Sequence, residues 1–277
     1  MRKPQRGICC AGCPHRAAYV VVKDAMGRGR GRVICGEAGC PAVGELHPAA
    51  TTCPGGQERL LPRYRQDAPA GSAEAPGADT CAHFALDLQM DAAEAGGPLS
   101  AGALAGEGAC AILCVMASSA RFLTPEALDG LGRHLGELGY GSVALADPLD
   151  TAGTGAMLSE LLAEGGVHAV VFASPCAQLM RGASPELATA AAEVDRISCV
   201  GCQRCVQIVG CPALSFRPPA ASIDADVCAG CDLCADYCRT HTILGPRTGM
   251  APAQKAALRI AAATDRTGAR VATDHLL

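Results

Sequence analysis

Two runs of closely spaced cysteines constrain this chain more than any other feature of its sequence. The first run is Cys199-x2-Cys202-x2-Cys205-x5-Cys211, and the second is Cys228-x2-Cys231-x2-Cys234-x3-Cys238. Cysteines at every third position put three thiolates on one tight loop, which cannot itself close around a fourth position of the same metal centre. The fourth ligand then has to come from elsewhere in the chain. We therefore expect residues 197–244 to form a separate unit that contains an internal repeat.

The spacing of both runs resembles that of bacterial ferredoxins with two [4Fe–4S] clusters, in which the last cysteine of each run binds the other cluster. The resemblance implies two ligand sets, which are Cys199, Cys202, Cys205 and Cys238 for cluster 1, and Cys228, Cys231, Cys234 and Cys211 for cluster 2. Gly201 and Gly230 fit this interpretation, because the loop backbone has to turn its N–H groups toward sulfur. Structural zinc is the alternative, but it favours paired C-x2-C knuckles, and two threefold runs do not suit its tetrahedral geometry.

The runs depart from the ferredoxin pattern at two places. Five residues rather than three precede Cys211, which lengthens that loop, and Arg239 follows Cys238 where the pattern has proline. Because a cation favours the more negative reduced state of a cluster, Arg239 is expected to raise the reduction potential of the cluster beside it.

The composition of the chain excludes several classes of protein that are rich in cysteine or bind a specific kind of partner. The chain has 277 residues, 18 of them cysteine, and a formal net charge of −4. Disulfide scaffolds belong to small secreted chains, and the basic N-terminus is not followed by the apolar segment of a signal peptide. The acidic balance, the absence of Trp and an aromatic content of 3% argue against a nucleic-acid partner. The longest apolar run, 109–117, is too short to span a membrane, so we expect a cytoplasmic protein that uses its thiolates for metal.

The residues before the two runs alternate between predicted strands and helices. Strands are predicted at 32–35, 109–116, 142–146 and 167–173, and helices at 15–25, 125–138, 154–164, 185–193 and 250–266. Helical periodicity, though mixed, is also read over 82–95. Strand and helix in alternation predict an α/β domain with a parallel sheet and crossover helices.

Five short segments of this region carry a second resemblance. They are Cys10-Ala-Gly-Cys-Pro-His-Arg16, Gly36-Glu-Ala-Gly-Cys40, Asp79-Thr-Cys81, Ala146-Asp-Pro-Leu-Asp150 and Ala173-Ser-Pro-Cys176. Together with the ferredoxin runs that follow, they are similar to the C-terminal half of the indolepyruvate ferredoxin oxidoreductase alpha subunit. The resemblance implies a reduced, three-layer parallel-sheet domain of thiamine-diphosphate-binding type over residues 1–192. It also implies an α+β ferredoxin domain with two [4Fe–4S] clusters over residues 193–247, followed by a C-terminal helical tail over residues 248–277.

The same resemblance implies a third [4Fe–4S] cluster. Departures from the family, in contrast, argue against a thiamine diphosphate site. Carried over residue by residue, the ligands of cluster 3 are Cys10, Cys13, Cys40 and Cys176. The alternative is that these cysteines are core or loop residues without metal. The family places an aspartate and then an asparagine as Mg²⁺ ligands after the strand that corresponds to 109–115. Here Ala117 stands at the aspartate position and the asparagine segment is missing, so we expect no catalytic residue and no thiamine diphosphate on this chain alone.

Three functions are compatible with these patterns. In the first, the chain is an iron–sulfur electron-transfer subunit of a 2-oxoacid (indolepyruvate-like):ferredoxin oxidoreductase-type complex. It would pass electrons through two or three clusters between other subunits and a soluble carrier such as ferredoxin, in an anaerobic cell. The alternative is a catalytic subunit that decarboxylates an aryl 2-oxoacid, with its thiamine diphosphate site completed by a partner chain. The third is an iron–sulfur sensor or assembly factor.

Overall fold

A buried apolar strand at the centre of a parallel sheet organises the N-terminal part of the protein. The computed structural model describes residues 9–27, 32–36, 38–40, 44–46, 78–105, 108–185, 187 and 189–268. Five parallel strands form the sheet, in the spatial order β1 (Arg32–Gly36), β4 (Ala78–Leu86), β5 (Gly108–Ala117), β7 (Gly166–Ala173) and β6 (Val143–Ala146). A separate antiparallel pair is formed by β2 (Ala38–Cys40) and β3 (Gly44–Leu46). The predicted α/β class with a parallel sheet is confirmed.

Both faces of the sheet are covered by helices, which makes three layers. Helices α1 (Pro14–Met26) and α5 (Thr151–Glu164) cover one face, and α2 (Asp87–Met90), α3 (Ala101–Leu104) and α4 (Pro125–Glu137) cover the other. Successive side chains of β5 alternate between the two faces, as strand geometry requires. Ile112 packs into the first core and Leu113 into the second, and both are buried. Burial on both faces explains why β5 is continuously apolar.

Local caps set the helix boundaries. Pro14 occupies the first turn of α1, where its missing N–H costs nothing. The Thr124 hydroxyl accepts a hydrogen bond from the Ala127 N–H at 3.4 Å and begins α4 where it was predicted. Helix α5 begins three residues earlier than predicted, because the Asp150 carboxylate accepts from the Gly153 N–H at 3.1 Å.

Two predicted helices are wrong. Residues 82–86 continue strand β4, and the helix that follows is the single turn α2. The misreading arises because β4 is buried between β1 and β5 and carries apolar residues on both faces, a pattern without clear periodicity. The described residues of 185–193 form turns and extended chain rather than a helix. There the backbone packs closely against Gly230, since a Cβ on that glycine would lie 2.3 Å from the Ala190 carbonyl oxygen.

The C-terminal part is built from two small antiparallel pairs. Strand β8 (Glu193–Val194) pairs with β11 (Ile243–Leu244), and β9 (Leu214–Arg217) pairs with β10 (Ala220–Ile223). The remaining elements are α6 (Arg204–Val209), α7 (Leu233–Asp236), α8 (Pro252–Gly268) and a 3-10 turn at Ala120–Phe122. Helix α8 confirms the helix predicted over 250–266. Across the described residues, we find no helix with the length and apolar character needed to cross a membrane.

An apolar contact joins the two parts of the chain. Ala17 and Val20 of α1 pack against Val209, Leu233 and Tyr237 of the C-terminal part, and all five residues are buried. Helix α1 therefore has two buried sides, one on the sheet and one on the cysteine-rich unit. This contact places the N-terminal cysteines beside the two C-terminal runs.

Candidate metal centres

The two cysteine runs follow the same backbone course. Gly201 and Gly230 occupy equivalent positions and have φ angles of 66° and 59°. Gln203 and Asp232 are also equivalent and have φ angles of 60° and 67°. Positive φ is uncommon for residues other than glycine, so its repetition at matched positions identifies the same turn in both runs. The internal repeat predicted from the sequence is present in the backbone.

Backbone hydrogen bonds explain how each loop meets the last cysteine of the other run. The Asp195 carbonyl accepts from the Cys199 N–H, and the Asp195 N–H donates to the Thr242 carbonyl at 2.8 Å. The second run repeats this arrangement, because Asp224 accepts from the Cys228 N–H and donates to the Ala213 carbonyl at 2.8 Å. Thr242 and Ala213 lie just after the final cysteines of the second and first runs. Each loop is thus tied to the segment that carries the other run's last cysteine.

Set 1 contains the four cysteines predicted for cluster 1, Cys199, Cys202, Cys205 and Cys238. Burial raises the pKa of the Cys205 thiol, and the charges of the other three members raise it further. Cys205 and Cys238 are buried in one apolar cluster with the half-buried Cys199, whereas Cys202 is exposed. The structure therefore brings the predicted set together at the protein surface.

Cys238 has the most strongly polar surroundings within set 1. Burial raises the pKa of its thiol, but hydrogen bonds from the Thr242 hydroxyl and from nearby backbone N–H groups outweigh burial and lower the pKa to about 7. The Thr242 N and Oγ1 atoms lie 3.3 Å and 3.5 Å from the Cys238 sulfur. These donors stabilise a thiolate, which is the form that binds metal.

Set 2 contains the four cysteines predicted for cluster 2, Cys211, Cys228, Cys231 and Cys234. All four line one small cavity. Burial raises the pKa of Cys234, and the charges of the other three raise it further. Burial together with the charge of Cys211 raises the pKa of Cys231 to about 12. The Gly230 N–H donates to the Cys228 sulfur at 3.4 Å, so backbone donors face this set as well.

Set 3 contains the four cysteines predicted for cluster 3, Cys10, Cys13, Cys40 and Cys176. Burial raises the pKa of Cys176 to about 12, with further contributions from the charges of Cys13, Cys40 and Cys10. Cys176 follows β7 at the carboxyl edge of the sheet, where sites of parallel-sheet proteins are built. Its N–H donates to the Ser118 carbonyl at 2.9 Å, and the Ser118 hydroxyl lies 2.7 Å from His15 Nε2.

Cys9 lies beside set 3, although no role was predicted for it from the sequence. It is buried, and hydrogen bonding between its thiol and Cys13 lowers the pKa of Cys9 and raises that of Cys13. The charges of Cys10 and Cys40 also act on it. The doublet Cys9-Cys10 directly before the helix is the sequence signal that could have identified it.

Four further cysteines among the described residues belong to none of the three sets. Cys110 and Cys114 are buried in the sheet core. Cys35 and Cys81 lie on adjacent strands with their sulfurs 3.4 Å apart. Cys53 lies outside the described residues.

The three sets adjoin one another in the order 3, 2, 1. Gly12, between Cys10 and Cys13, has φ 74°, and a Cβ there would lie 2.6 Å from Ala229 Cβ and 3.8 Å from Cys231 Cβ. The Gly12 N–H also hydrogen-bonds to the Cys211 thiol and lowers its pKa against the larger effect of burial. On the other side, the charge of Cys205 in set 1 acts on Cys234 in set 2.

Arg16 holds sets 3 and 2 together. Its guanidinium is buried and donates to the carbonyls of Cys9, Val209 and Gly210, with 3.2 Å to the Val209 oxygen. The same charge lowers the pKa of Cys211, although burial has the larger and opposite effect. One buried cation therefore donates hydrogen bonds to the loop before α1 and to the end of α6, and its charge acts on thiols of two sets.

The donor chemistry of these sites fits iron–sulfur clusters. Tyr19 Oη is buried and has no hydrogen-bond partner among the described residues. Burial raises the Tyr19 pKa, and the charges of Cys9, Cys13 and Cys40 raise it further, so its hydroxyl lies beside set 3. Sulfide and thiolate sulfurs accept such donors, which tune cluster potentials.

A single metal ion and a cluster of four irons require different distances between the cysteine sulfurs. Within the described ranges, no three or more His, Cys, Asp or Glu side chains are placed to hold a single metal ion. A tetrahedral zinc with bonds of about 2.3 Å needs its sulfurs about 3.8 Å apart. The four cysteines of a [4Fe–4S] cluster bind separate irons and therefore stand farther apart.

Comparison with protein-family models, with characterised proteins and with solved structures finds no match for this chain.

Proposed function

We propose that this chain is an iron–sulfur electron-transfer protein with sites for three [4Fe–4S] clusters, one on each of sets 1, 2 and 3. The observation that carries the proposal is the uninterrupted row of three four-cysteine sets. Gly12 joins set 3 to set 2, and one apolar cluster that contains Cys205 and Cys234 joins set 2 to set 1. A [4Fe–4S] cluster, when bound, supplies one-electron chemistry at a potential that its surroundings set.

The two ends of the row of cysteine sets differ in how deeply they are buried. Set 3 lies at the sheet edge against the buried residues Tyr19 and His15. Set 1 reaches the surface at the exposed Cys202, beside Ile197 and Val200, whose side chains are 98% and 65% exposed. Such exposed apolar residues suit a transient partner surface. We propose that a soluble electron carrier such as ferredoxin docks at set 1.

The resemblance to the 2-oxoacid:ferredoxin oxidoreductases supplies the proposed setting. The chain would be the electron-transfer subunit of such a complex, and set 3 would lie toward the subunit that performs the carbon chemistry. At the end of β5 the chain reads Ala117-Ser118-Ser119, which offers no carboxylate for a Mg²⁺ ion at the position where the resembled family has one. For this reason we assign thiamine-dependent catalysis to a partner chain and not to this one.

Redox cycling of anaerobically purified protein tests the proposal. We expect dithionite to reduce the clusters, oxidised ferredoxin to reoxidise them, and the iron content to stay constant over several cycles. A sensor or an assembly factor would lose iron during cycling, and that loss would contradict an electron-transfer role. The exposed variant Ile197→Lys is expected to slow reoxidation by ferredoxin without changing the iron content. Arg133→Gln, on the distant helix α4, serves as the control.

A further inference from the structure

A larger cavity lies behind the loop that carries Cys228 and Cys231. It has a volume of about 200 Å³ and is bounded by that loop, by residues 177–183 with Leu187 and Thr189, and by Arg247 and Arg259. Gly12, which joins sets 3 and 2, also lines it. This cavity is distinct from the small one that the four thiols of set 2 share.

Two buried arginines give the cavity a cationic lining. Arg247 and Arg259 are 7% and 2% exposed. Arg247 donates to the Thr189 hydroxyl at 2.6 Å, and Arg259 pairs with Asp147. Arg259 Nε is buried and has no hydrogen-bond partner within the described part of the chain. A buried, charged donor without an acceptor costs more than an ordinary hydrogen bond contributes, so the Arg259 Nε atom favours the binding of an acceptor.

The charges around the cavity do not balance. Arg247 and Arg259 line the same cavity. Burial lowers the pKa of Arg247, and the positive charge of Arg259 lowers it further. The carboxylates nearby are Asp147, on Arg259, and Asp232, which pairs with Lys255 at 3.3 Å. Arg181 adds a further, exposed cation to the lining. Among the described residues that line the cavity, three are arginines and none is an aspartate or a glutamate.

We propose that this cavity binds a small oxyanion, a carboxylate or phosphate group held by Arg247 and Arg259. Guanidinium groups match both anions through paired N–H donors. About 200 Å³ corresponds to roughly six or seven water molecules, which suits a small acid or inorganic phosphate but not a nucleotide. The site goes beyond the proposed function, because its lining residues bind an anion whether or not the clusters carry electrons.

Anion titrations of the anaerobically purified full chain test this inference. Inorganic phosphate and acetate are titrated separately at constant ionic strength by calorimetry, with chloride as the reference salt. We expect one of the two to bind saturably at one site per chain, and Arg247→Gln to weaken that binding at least tenfold. Arg133→Gln, an exposed arginine on α4, is expected to bind as the unchanged protein does.

A second variant keeps the inference testable if the loss of Arg247 disturbs folding. Ala183→Phe fills the cavity and retains both arginines, and it is expected to abolish binding while the melting temperature stays near that of the unchanged protein. If neither anion binds saturably, or if binding survives both variants, the arginines only compensate charge near set 2 and the inference is wrong. Iron content measured in the same samples separates this result from a failure of the proposed electron-transfer role.

Discussion

At the scale of single residues, hydrogen bonds to sulfur distinguish the cysteines of one set from those of another. The Cys238 sulfur accepts hydrogen bonds from the Thr242 hydroxyl and from backbone N–H groups. These donors lower the pKa of Cys238, although burial acts in the opposite direction. In set 2, burial and neighbouring thiols dominate instead and raise the pKa of Cys231 to about 12. Donors that stabilise a thiolate also stabilise a more negative, reduced cluster. Set 1 should therefore have the higher reduction potential of the two.

Thr242→Val tests this expectation. The change keeps the shape of the side chain and removes the hydroxyl that lies 3.5 Å from the Cys238 sulfur. We expect the potential of one cluster to fall by about 40 mV, the one-electron equivalent of about 1 kcal/mol for a lost hydrogen bond. A potentiometric titration followed by electron paramagnetic resonance measures the shift. Thr264→Val, on α8, is the control, and equal potentials for Thr242→Val and the control would contradict the assignment.

At the scale of elements, the closeness of the loop before α1 to the loop after β10 joins two cysteine sets. Only a glycine allows this approach, because Gly12 has φ 74° and a Cβ would lie 2.6 Å from Ala229 Cβ. Positive φ and a close contact each penalise any other residue. The contact thus depends on one residue without a side chain.

Gly12→Ala is expected to separate the two loops. The strained φ and the clash together should lower the free energy of unfolding by about 2 to 4 kcal/mol. Gly132→Ala, in the middle of α4 with nothing within 4 Å of the new Cβ, should instead raise it by about 0.5 to 1 kcal/mol. Anaerobic thermal melting compares both variants with the unchanged protein. Equal melting temperatures for the two variants would show that the close contact has no structural weight.

Sequence reasoning predicts these elements unequally, for physical reasons. Strand β5 and helix α4 were predicted because continuous burial and a Thr-Pro cap are local signals. Strand β4 was misread because its neighbours on both sides, and not its own pattern, determine its conformation. Spacing likewise grouped the cysteines of the two runs as the structure groups them, whereas their role as ligands stays a prediction. The placement of Cys9 and the shared cavity of Arg247 and Arg259 depend on contacts between distant segments, which no local pattern encodes.

At the scale of the whole molecule, the α/β sheet positions one cysteine set and the cysteine-rich unit positions two. Helix α1 connects them, because it packs on the sheet, on the second unit and, through Arg16, on the end of α6. The sheet edge supplies Cys176, and the loop before α1 supplies Cys10 and Cys13. The chain is accordingly one frame for three adjacent cysteine sets.

The most direct test of this claim is the amount of iron and acid-labile sulfide per chain in anaerobically purified protein. Three [4Fe–4S] clusters predict about twelve of each. Cys176→Ser should reduce both to about eight, whereas Cys114→Ser, in the sheet core, should leave them unchanged. About eight irons in the unchanged protein would contradict a cluster on set 3, and zinc without sulfide would contradict the whole account.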